Sequence, residues 1–326
     1  MIDFCVLGSG ISGSTIANLL SKKYSVEIID KAKGVGGRSS NKKVDGSINF
    51  DHGLQYYSFK EPKFERFLKK LMKMKVLKYW DGNHLDFTFK KKINTPKIIG
   101  INGNNDLNKY LLKNIKKNLN QEIINIKFKK TYWEIYGKKN IYKAKNLVIS
   151  FPFEQTKKLA KKYLSRRLLN LGIKMSPNIT LMLRQKGVQN IAISSMKFNN
   201  KLISWAANEN SKKRFTSKEN FWTIQATTNY SKKIINVYKK KKVYFSNLLV
   251  KEFSNILNCN YKDFQVFKIH GWKYSSNQIS SGTKCYWDSH FKIGLCGDWF
   301  IGPKAESAWL SANDLFKKIK KTRLNN

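Results

Sequence analysis

VLGSGISGSTIANLLSKKYSVEIID, Val6 to Asp30, is the stretch on which the fold turns. An apolar run, Ile2 to Leu7, leads into Gly8-Ser9-Gly10-Ile11-Ser12-Gly13. Ile16, Leu19 and Leu20 then recur at helical spacing, and SVEIID closes on Asp30. The pattern predicts strand, glycine turn, helix and strand. G-x-G-x-x-G in that setting predicts a dinucleotide site. Gly8 permits the tight turn, Gly10 lets backbone approach a pyrophosphate, and Gly13 allows close packing of helix on strand. The helix N-terminus, with Ile11 and Ser12 in its first turn, offers oriented N–H groups to the anion. Asp30 is placed to bind a ribose hydroxyl pair.

The chain continues KAKGVGGRSS from Lys31. Gly36 and Gly37 allow a close approach to a cofactor, and Arg38 offers a charged fork to a phosphate. This continuation resembles FAD-binding proteins of the glutathione-reductase and amine-oxidase type. The resemblance points to non-covalently bound FAD rather than a nicotinamide dinucleotide.

Beyond this unit, EPKFERFLKKLMKMKVL places Phe64, Phe67, Leu68 and Leu71 on one face of an amphipathic helix. A second helix begins near Asn105 or Asp106, either of which can cap it. EIINIKFKK, YWEIYG and KNLVISFP read as strands, as does NFWTIQATT, and VYFSNLLVKEFSNIL reads as a helix. At 326 residues and 41% hydrophobic content the chain can bury one large or two interleaved domains. No apolar run approaches the roughly 18 residues of a membrane span, and MIDFCVLGSG lacks the layout of a signal peptide, so the sequence reads as cytoplasmic. Cys5, Cys259, Cys285 and Cys296 lack C-x-x-C spacing and read as reduced thiols. Four scattered histidines give no metal motif.

The formal net charge of +42 invites a nucleic-acid reading. Lysines, however, run from Lys22 to Lys321 among abundant Asn, Ile, Tyr and Phe, the composition an AT-rich genome produces. No specific nucleic-acid site is expected. A positive field still favours anionic small molecules.

Four further segments carry a wider resemblance: FDHGLQYYS (Phe50 to Ser58), ISWAANENSKKR (Ile203 to Arg214), KIHGWKYS (Lys268 to Ser275) and GLCGDWFIGPKAESAWLSANDLF (Gly294 to Phe316). With the opening unit they resemble, in order and spacing, the renalase family of flavoproteins, relatives of the flavin amine oxidases. Leu54, Gly271 and Ser307 depart from that family's pattern, which has Ala, Arg and Gly there. The resemblance implies an α/β fold of the p-hydroxybenzoate hydroxylase-like two-domain topology. A discontinuous Rossmann-type FAD domain (1–60, 95–158 and 285–326) would hold an inserted α+β substrate domain (61–94 and 159–284). It also implies FAD contacts from Gly8, Gly10, Ile11, Ser12, Gly13, Asp30, Lys31, Gly37, Arg38, His52, Gly53, Leu54, Gln55 and Ile123, and from Gly297, Asp298, Glu306, Ser307 and Ala308 in the closing segment. Gln55, Trp205, Asn208, His270 and Trp272 would wall the substrate cavity. The implied reaction is oxidation of 2- or 6-dihydro-NAD(P) to NAD(P)+, with O2 as acceptor giving H2O2. The alternatives are oxidation of an amine or another small molecule, or a non-catalytic FAD-binding protein.

Overall fold

The computed structural model describes residues 1–187, 192–277 and 280–324. Ile2–Leu7 lies in the middle of the first sheet, parallel to Val26–Ile29 on one side and to Ile141–Ile149 on the other. Lys116–Asn118 extends the sheet beyond Val26–Ile29, again parallel. The edge of Ile141–Ile149 away from Ile2–Leu7 is shared by two neighbours. Its first half pairs antiparallel with Tyr132–Gly137, and its second half pairs parallel with Ile293–Leu295 near the end of the chain.

Both faces of this sheet are covered, which is why its first strand is apolar throughout rather than alternating. Phe4 and Val6 point to one side, where Ile16, Ala17 and Leu20 of helix Ile11–Leu20 meet Ala312, Leu315 and Ile319 of helix Ala305–Leu324. Cys5 and Leu7 point to the other, into a core with Trp133, Phe153, Leu164, Trp299 and Phe300. Ala160, Leu164, Leu168 and Ile173 belong to this same core, so packing on the first sheet continues past residue 158. The helix predicted from Phe64, Phe67, Leu68 and Leu71 spans Pro62–Lys73 and leans on the closing helix, with Phe67 stacked on Trp309 at 5.3 Å.

Among the described residues the second sheet has seven strands, ordered Phe264–Asn277, Met175–Gln185, Asn220–Ala226, Ile203–Asn208, Ile193–Lys197, Asn83–Asp86 and Lys91–Lys92. Its strands alternate between two faces, with register irregularities between Met182 and Leu183 and between Ile203 and Trp205. Ile179, Leu181, Leu183, Met196, Ala206, Trp222, Ile224 and Ile269 share one core with Leu249 and Phe253 of helix Lys242–Leu257. The opposite face is mixed: Met182, Phe221 and Phe267 pack with Ile48 and Phe50, and the rest carries polar and aromatic side chains. Across it, paired positions line up as Lys197, Trp205, Gln225, Thr180 and His270. Among the described residues no helix is long and apolar enough to cross a membrane.

A buried ionic cluster joins the two halves. Asp51, which follows strand Ile48–Phe50, is fully buried, with Lys212 Nζ at 2.9 Å and Arg214 Nη1 at 2.6 Å from the same oxygen. Lys212 also reaches Glu209 at 2.9 Å, and Arg214 donates to the Gly100 carbonyl at 2.8 Å. Burial pushes the Asp51 carboxyl up, but Arg214 and Lys212 outweigh it and hold the group below the usual carboxylate range. Replacing Lys212 with Met leaves Glu209 without an ion-pair partner, and Asp51 with Arg214 alone, among the described residues. The expected loss is about 3–5 kcal/mol of unfolding free energy, measured by urea denaturation, with partial recovery in Lys212→Met/Glu209→Gln. A change within 0.5 kcal/mol for the single variant would contradict this account of the cluster.

Candidate cofactor and substrate site

The glycine turn has the shape the sequence implies. Gly8 has φ +97°, a conformation that side chains resist, and its N–H donates to the Ile29 carbonyl at 2.8 Å. Gly10 is different: its backbone is ordinary, and a Cβ there would meet nothing closer than the Gly36 carbonyl oxygen at 4.0 Å. Nothing within the protein requires glycine at this position. The helix that Gly10 opens has no side-chain cap and no acidic residue in its first turn, so the N–H groups there remain available to an anion. The closing helix begins beside it, where Ser12 Oγ donates to the Ala308 carbonyl at 2.9 Å. An open cradle between helix N-termini fits the pyrophosphate of a dinucleotide.

Several predicted contacts are committed within the protein. Asp30 accepts from Ser9 N at 2.7 Å, Ser9 Oγ at 2.6 Å and Ala32 N at 2.9 Å, so one carboxylate organises the turn and the strand end together. The Arg38 fork closes on Asp298, at 2.8 and 2.5 Å, and its Nη1 also reaches the Ser275 carbonyl at 2.7 Å. It holds the opening unit to the closing segment instead of presenting a free fork. Glu306 accepts from the amides of Lys60 and Glu61, both at 2.7 Å, and so anchors the start of helix Pro62–Lys73. Lys31 is exposed, and Ile123 packs against the first core. Gly37 lies against Gly10: a Cβ on Gly37 would come within 3.1 Å of the Gly10 Cα. Gly297 is extended and donates to Ser311 Oγ at 3.0 Å, and Ser307 is buried in the first turn of the closing helix.

The segment from His52 to Tyr56 lies between the two sheets. Its carbonyls are gripped from the mixed face of the second: Trp272 Nε1 donates to His52 O at 2.8 Å, and Gln225 Nε2 to Gly53 O at 2.7 Å. Leu54 N donates to Arg38 O at 2.8 Å, and the Leu54 side chain packs with Tyr57, Phe64 and Leu68. The His52 ring lies 5.1 Å from Trp272 and 5.0 Å from His270, and Tyr56 leans on Trp205 at 5.7 Å. His270 and Trp272 therefore meet at His52, whereas Trp205 lies three strand steps from His270, against Tyr56, and Gln55 turns its amide back to the Asp51 carbonyl. Gln55 Oε1 and Trp205 Nε1 are buried with no hydrogen-bond partner among the described residues.

Asn208 is a correction. It pairs with Trp222 on the strand position that faces the opposite core, and its side chain accepts from Asn210 N at 3.0 Å and donates to Asn220 at 3.2 Å. Strand alternation turns it away from Trp205. Gly271 is explained by the same alternation: a Cβ there would lie 2.6 Å from Tyr238 and 2.8 Å from Ile235, on the helix side of the sheet. The departure from the family pattern at Gly271 does not alter the site face. Sequence reading missed Asp51 and its cations, and also Asn108, which donates to Ser9 O at 3.1 Å and to Ser14 Oγ at 3.0 Å and accepts from Ser39 Oγ at 2.8 Å. The density of Asn and Asp in NGNNDLN, from Asn102 to Asn108, was the available signal.

With that geometry in place, the chain can be set beside known proteins. A family model described as an NAD(P)-binding Rossmann-like domain matches residues 6–71. A stretch of 54 residues is 41% identical to an uncharacterised protein of Methanocaldococcus jannaschii; it spans 17% of this chain and 14% of that protein's length. Among solved structures, an engineered putrescine oxidase aligns with TM-score 0.73 at 10% identity, covering 98% of this chain and 99% of the other. Cyclohexylamine oxidase from Brevibacterium oxydans aligns at 0.69 and 10% identity, with 100% of both chains covered. An oxidoreductase from Methanosarcina mazei aligns at 0.67 and 12% identity, covering 97% of this chain and 100% of the other. Likeness at such identities is likeness of fold.

Two neutral imidazoles mark the site. Burial, then His270, then Lys268 bring His52 down to about 4, against the opposing pull of Asp51. Burial, with Lys268 and Lys239, does the same to His270. Both folded values lie below the ordinary 6.5, so the unfolded chain takes up protons first as pH falls. The stability these groups contribute is complete above pH 6.5 and is lost between 6.5 and about 4. Urea unfolding should show this decline, and His52→Gln should flatten it. Equal slopes in the two proteins, or an imidazole that titrates by NMR near its ordinary value, would refute the burial argument.

Proposed function

We propose that this protein is an FAD-dependent oxidoreductase that oxidises a planar, neutral or anionic small molecule bound against the mixed face of the second sheet. The observation that carries the reading is Gly10. An ordinary backbone conformation with empty space at its Cβ marks a glycine kept for something outside the protein, at a helix N-terminus suited to a pyrophosphate. The pairing of such a cradle with a sheet face of polar and aromatic side chains, and the likeness in fold to putrescine oxidase and cyclohexylamine oxidase, support FAD as the dinucleotide.

Bound FAD would supply two-electron oxidation by accepting a hydride from the substrate. The chain's own part is to bind and orient. Tyr56, Trp205 and Trp272 offer aromatic faces, Gln55 Oε1 an acceptor and Trp205 Nε1 a donor. His52 and His270, neutral at physiological pH, add polarity without charge. Asp51, the carboxylate next to His52, is already held by Lys212 and Arg214 and is not free to receive an ammonium group. Lys268 lies close enough to depress both imidazoles, so the local field opposes a cation. A dihydropyridine such as 2- or 6-dihydro-NAD(P) suits that field. Its oxidation with O2 and a proton gives NAD(P)+ and H2O2. The second reading, an amine substrate, draws on the names of the structural neighbours.

The purified protein should be yellow and release FAD on denaturation. Gly10→Ala should fold normally, because its methyl group meets no protein atom, yet lose the flavin. Full FAD occupancy in that variant would disprove the pyrophosphate assignment. Anaerobic stopped-flow bleaching then separates the substrates. Rapid bleaching by 6-dihydro-NAD supports the anionic reading, whereas bleaching by putrescine or cyclohexylamine alone replaces it with the amine reading.

A further inference from the structure

Strand Phe264–Asn277 lies at the edge of the second sheet, and its pairing is irregular just before His270. Leu183 pairs with Val266 and Met182 with Lys268, which leaves Phe267 as an extra residue in a β-bulge. The bulge decides where a lysine points. Val266 and Ile269 belong with the core under helix Lys242–Leu257, whereas Phe267 packs with Met182 and Phe50 on the opposite face. Lys268 stands across from Met182 and so shares that second face, two residues along from His270. In unbroken alternation from Val266, position 268 would face the apolar core. With the extra residue it turns instead to the face where the His270 ring lies 5.0 Å from His52 and 4.5 Å from Trp272.

Lys268 is exposed, and among the described residues no carboxylate pairs with it. Its charge is felt at both imidazoles. It depresses His52 and His270 together, with Lys239 adding to the effect at His270 and Asp51 opposing it at His52. Asp51 is already held by Lys212 and Arg214. The face therefore carries a positive charge that no acidic group of its own matches. A lysine on an edge strand can also discourage another strand from pairing, a role that the exposed Lys273 of the same strand fills without a bulge. Bulges re-aim side chains beside sites, and here the re-aimed group is a cation.

We infer that Lys268, turned onto this face by the bulge, selects the charge of the substrate by pairing with a phosphate group that the substrate carries. A lysine ammonium is a compact point charge with three donors on a flexible stem, which suits a phosphate held at the rim of a site. His52 and His270 leave the neighbouring space to the planar, uncharged part of the same molecule. The inference deepens the proposed function, and rests on it for the statement that this face is the substrate side.

A matched pair of probes isolates the phosphate: nicotinamide mononucleotide and nicotinamide riboside, titrated into the full-length protein as purified and followed through the imidazole NMR signals of His52 and His270. The mononucleotide should bind at least about fivefold more tightly, the scale of one partly exposed charge-assisted contact. Lys268→Met should remove that preference, and Lys268→Arg, which keeps the charge, should retain it. Lys22→Met, at an exposed lysine beyond the first helix, should leave it unchanged and so controls for the high net charge. In the ligand-free protein Lys268→Met should also raise the titration of both imidazoles, because a neighbouring positive charge is gone. The inference is overturned by equal affinity for the two probes, by failure of both to bind, or by a preference that survives in Lys268→Met. It is also overturned if that variant leaves both imidazole titrations in place, since Lys268 would then serve only as an edge-strand guard. None of these readouts needs turnover. A protein that prefers the mononucleotide through Lys268, yet whose flavin 6-dihydro-NAD does not bleach, would refute the dihydropyridine reaction and leave the phosphate contact standing. Rapid bleaching without any phosphate preference would do the reverse.

Discussion

Burying Asp51 is the constraint on which the rest of the structure depends. A carboxylate with no solvent exposure must be matched from within the protein, and its partners come from far along the chain: Lys212 and Arg214 from the second sheet's side, and the amide of Asn104 at 3.0 Å from the first. The next residue is His52, which begins the segment that both sheets hold. The charges that neutralise Asp51 therefore also set the height and angle of His52, Gly53 and Gln55 between the sheets. An apolar residue at position 51 would remove the electrostatic cost together with the orientation. Arg214, gripping the Gly100 carbonyl and Asn104 as well as Asp51, ties a third piece of chain into the same arrangement.

The second sheet shows how alternation divides labour. Even-numbered positions near 180 and 270 face the site, and their odd-numbered neighbours face the helices, so one strand contributes Thr180 to one surface and Ile179 and Leu181 to the other. Trp205, Gln225, Thr180 and His270, on four successive strands of the sheet, thus become a row without being near one another in sequence. Gln225 and Trp272 spend their donors on the carbonyls of Gly53 and His52, which locks the row against the segment it faces. His52 Nδ1, Gln55 Oε1 and Trp205 Nε1 are buried there without a hydrogen-bond partner.

How far the sequence could be read depended on the range of the interactions. The unit from Ile2 to Asp30 was legible because its signals are local: an apolar strand, glycines at fixed offsets and a periodic helix. The amphipathic face of Pro62–Lys73 and the helix Lys242–Leu257 were legible for the same reason. Arg38 and Glu306 lie at positions that a motif marks, but their partners, Asp298 and the amides of Lys60 and Glu61, are more than 240 residues away, and no local pattern reveals that these groups are already engaged. Asn208 failed through a single parity: a residue three places from Trp205 lies on the other face of a strand. Lys212 and Arg214 were hidden by composition, since one buried lysine looks like any other among 63 basic residues.

The first sheet is finished from both ends of the chain. Ile2–Leu7 and helix Ile11–Leu20 lie against elements that begin at Ile293 and Ala305. Ile2–Leu20 is synthesised long before residues 293–324, and although Ile28, Leu112 and Ile115 share one core with Ile16, Ala17 and Leu20, that core is incomplete until Ala305–Leu324 supplies Ala312, Leu315 and Ile319. The intervening residues must be made, and can fold their own sheet, while that apolar surface waits. Completion is then a late event of high sequence separation, slow in the way that long loop closures are slow. The nascent chain is thus most exposed to aggregation and chaperone capture before Ile293–Leu295 and Ala305–Leu324 have been made. For this protein, biosynthesis is a race between closing the sheet and losing its first helix to other partners.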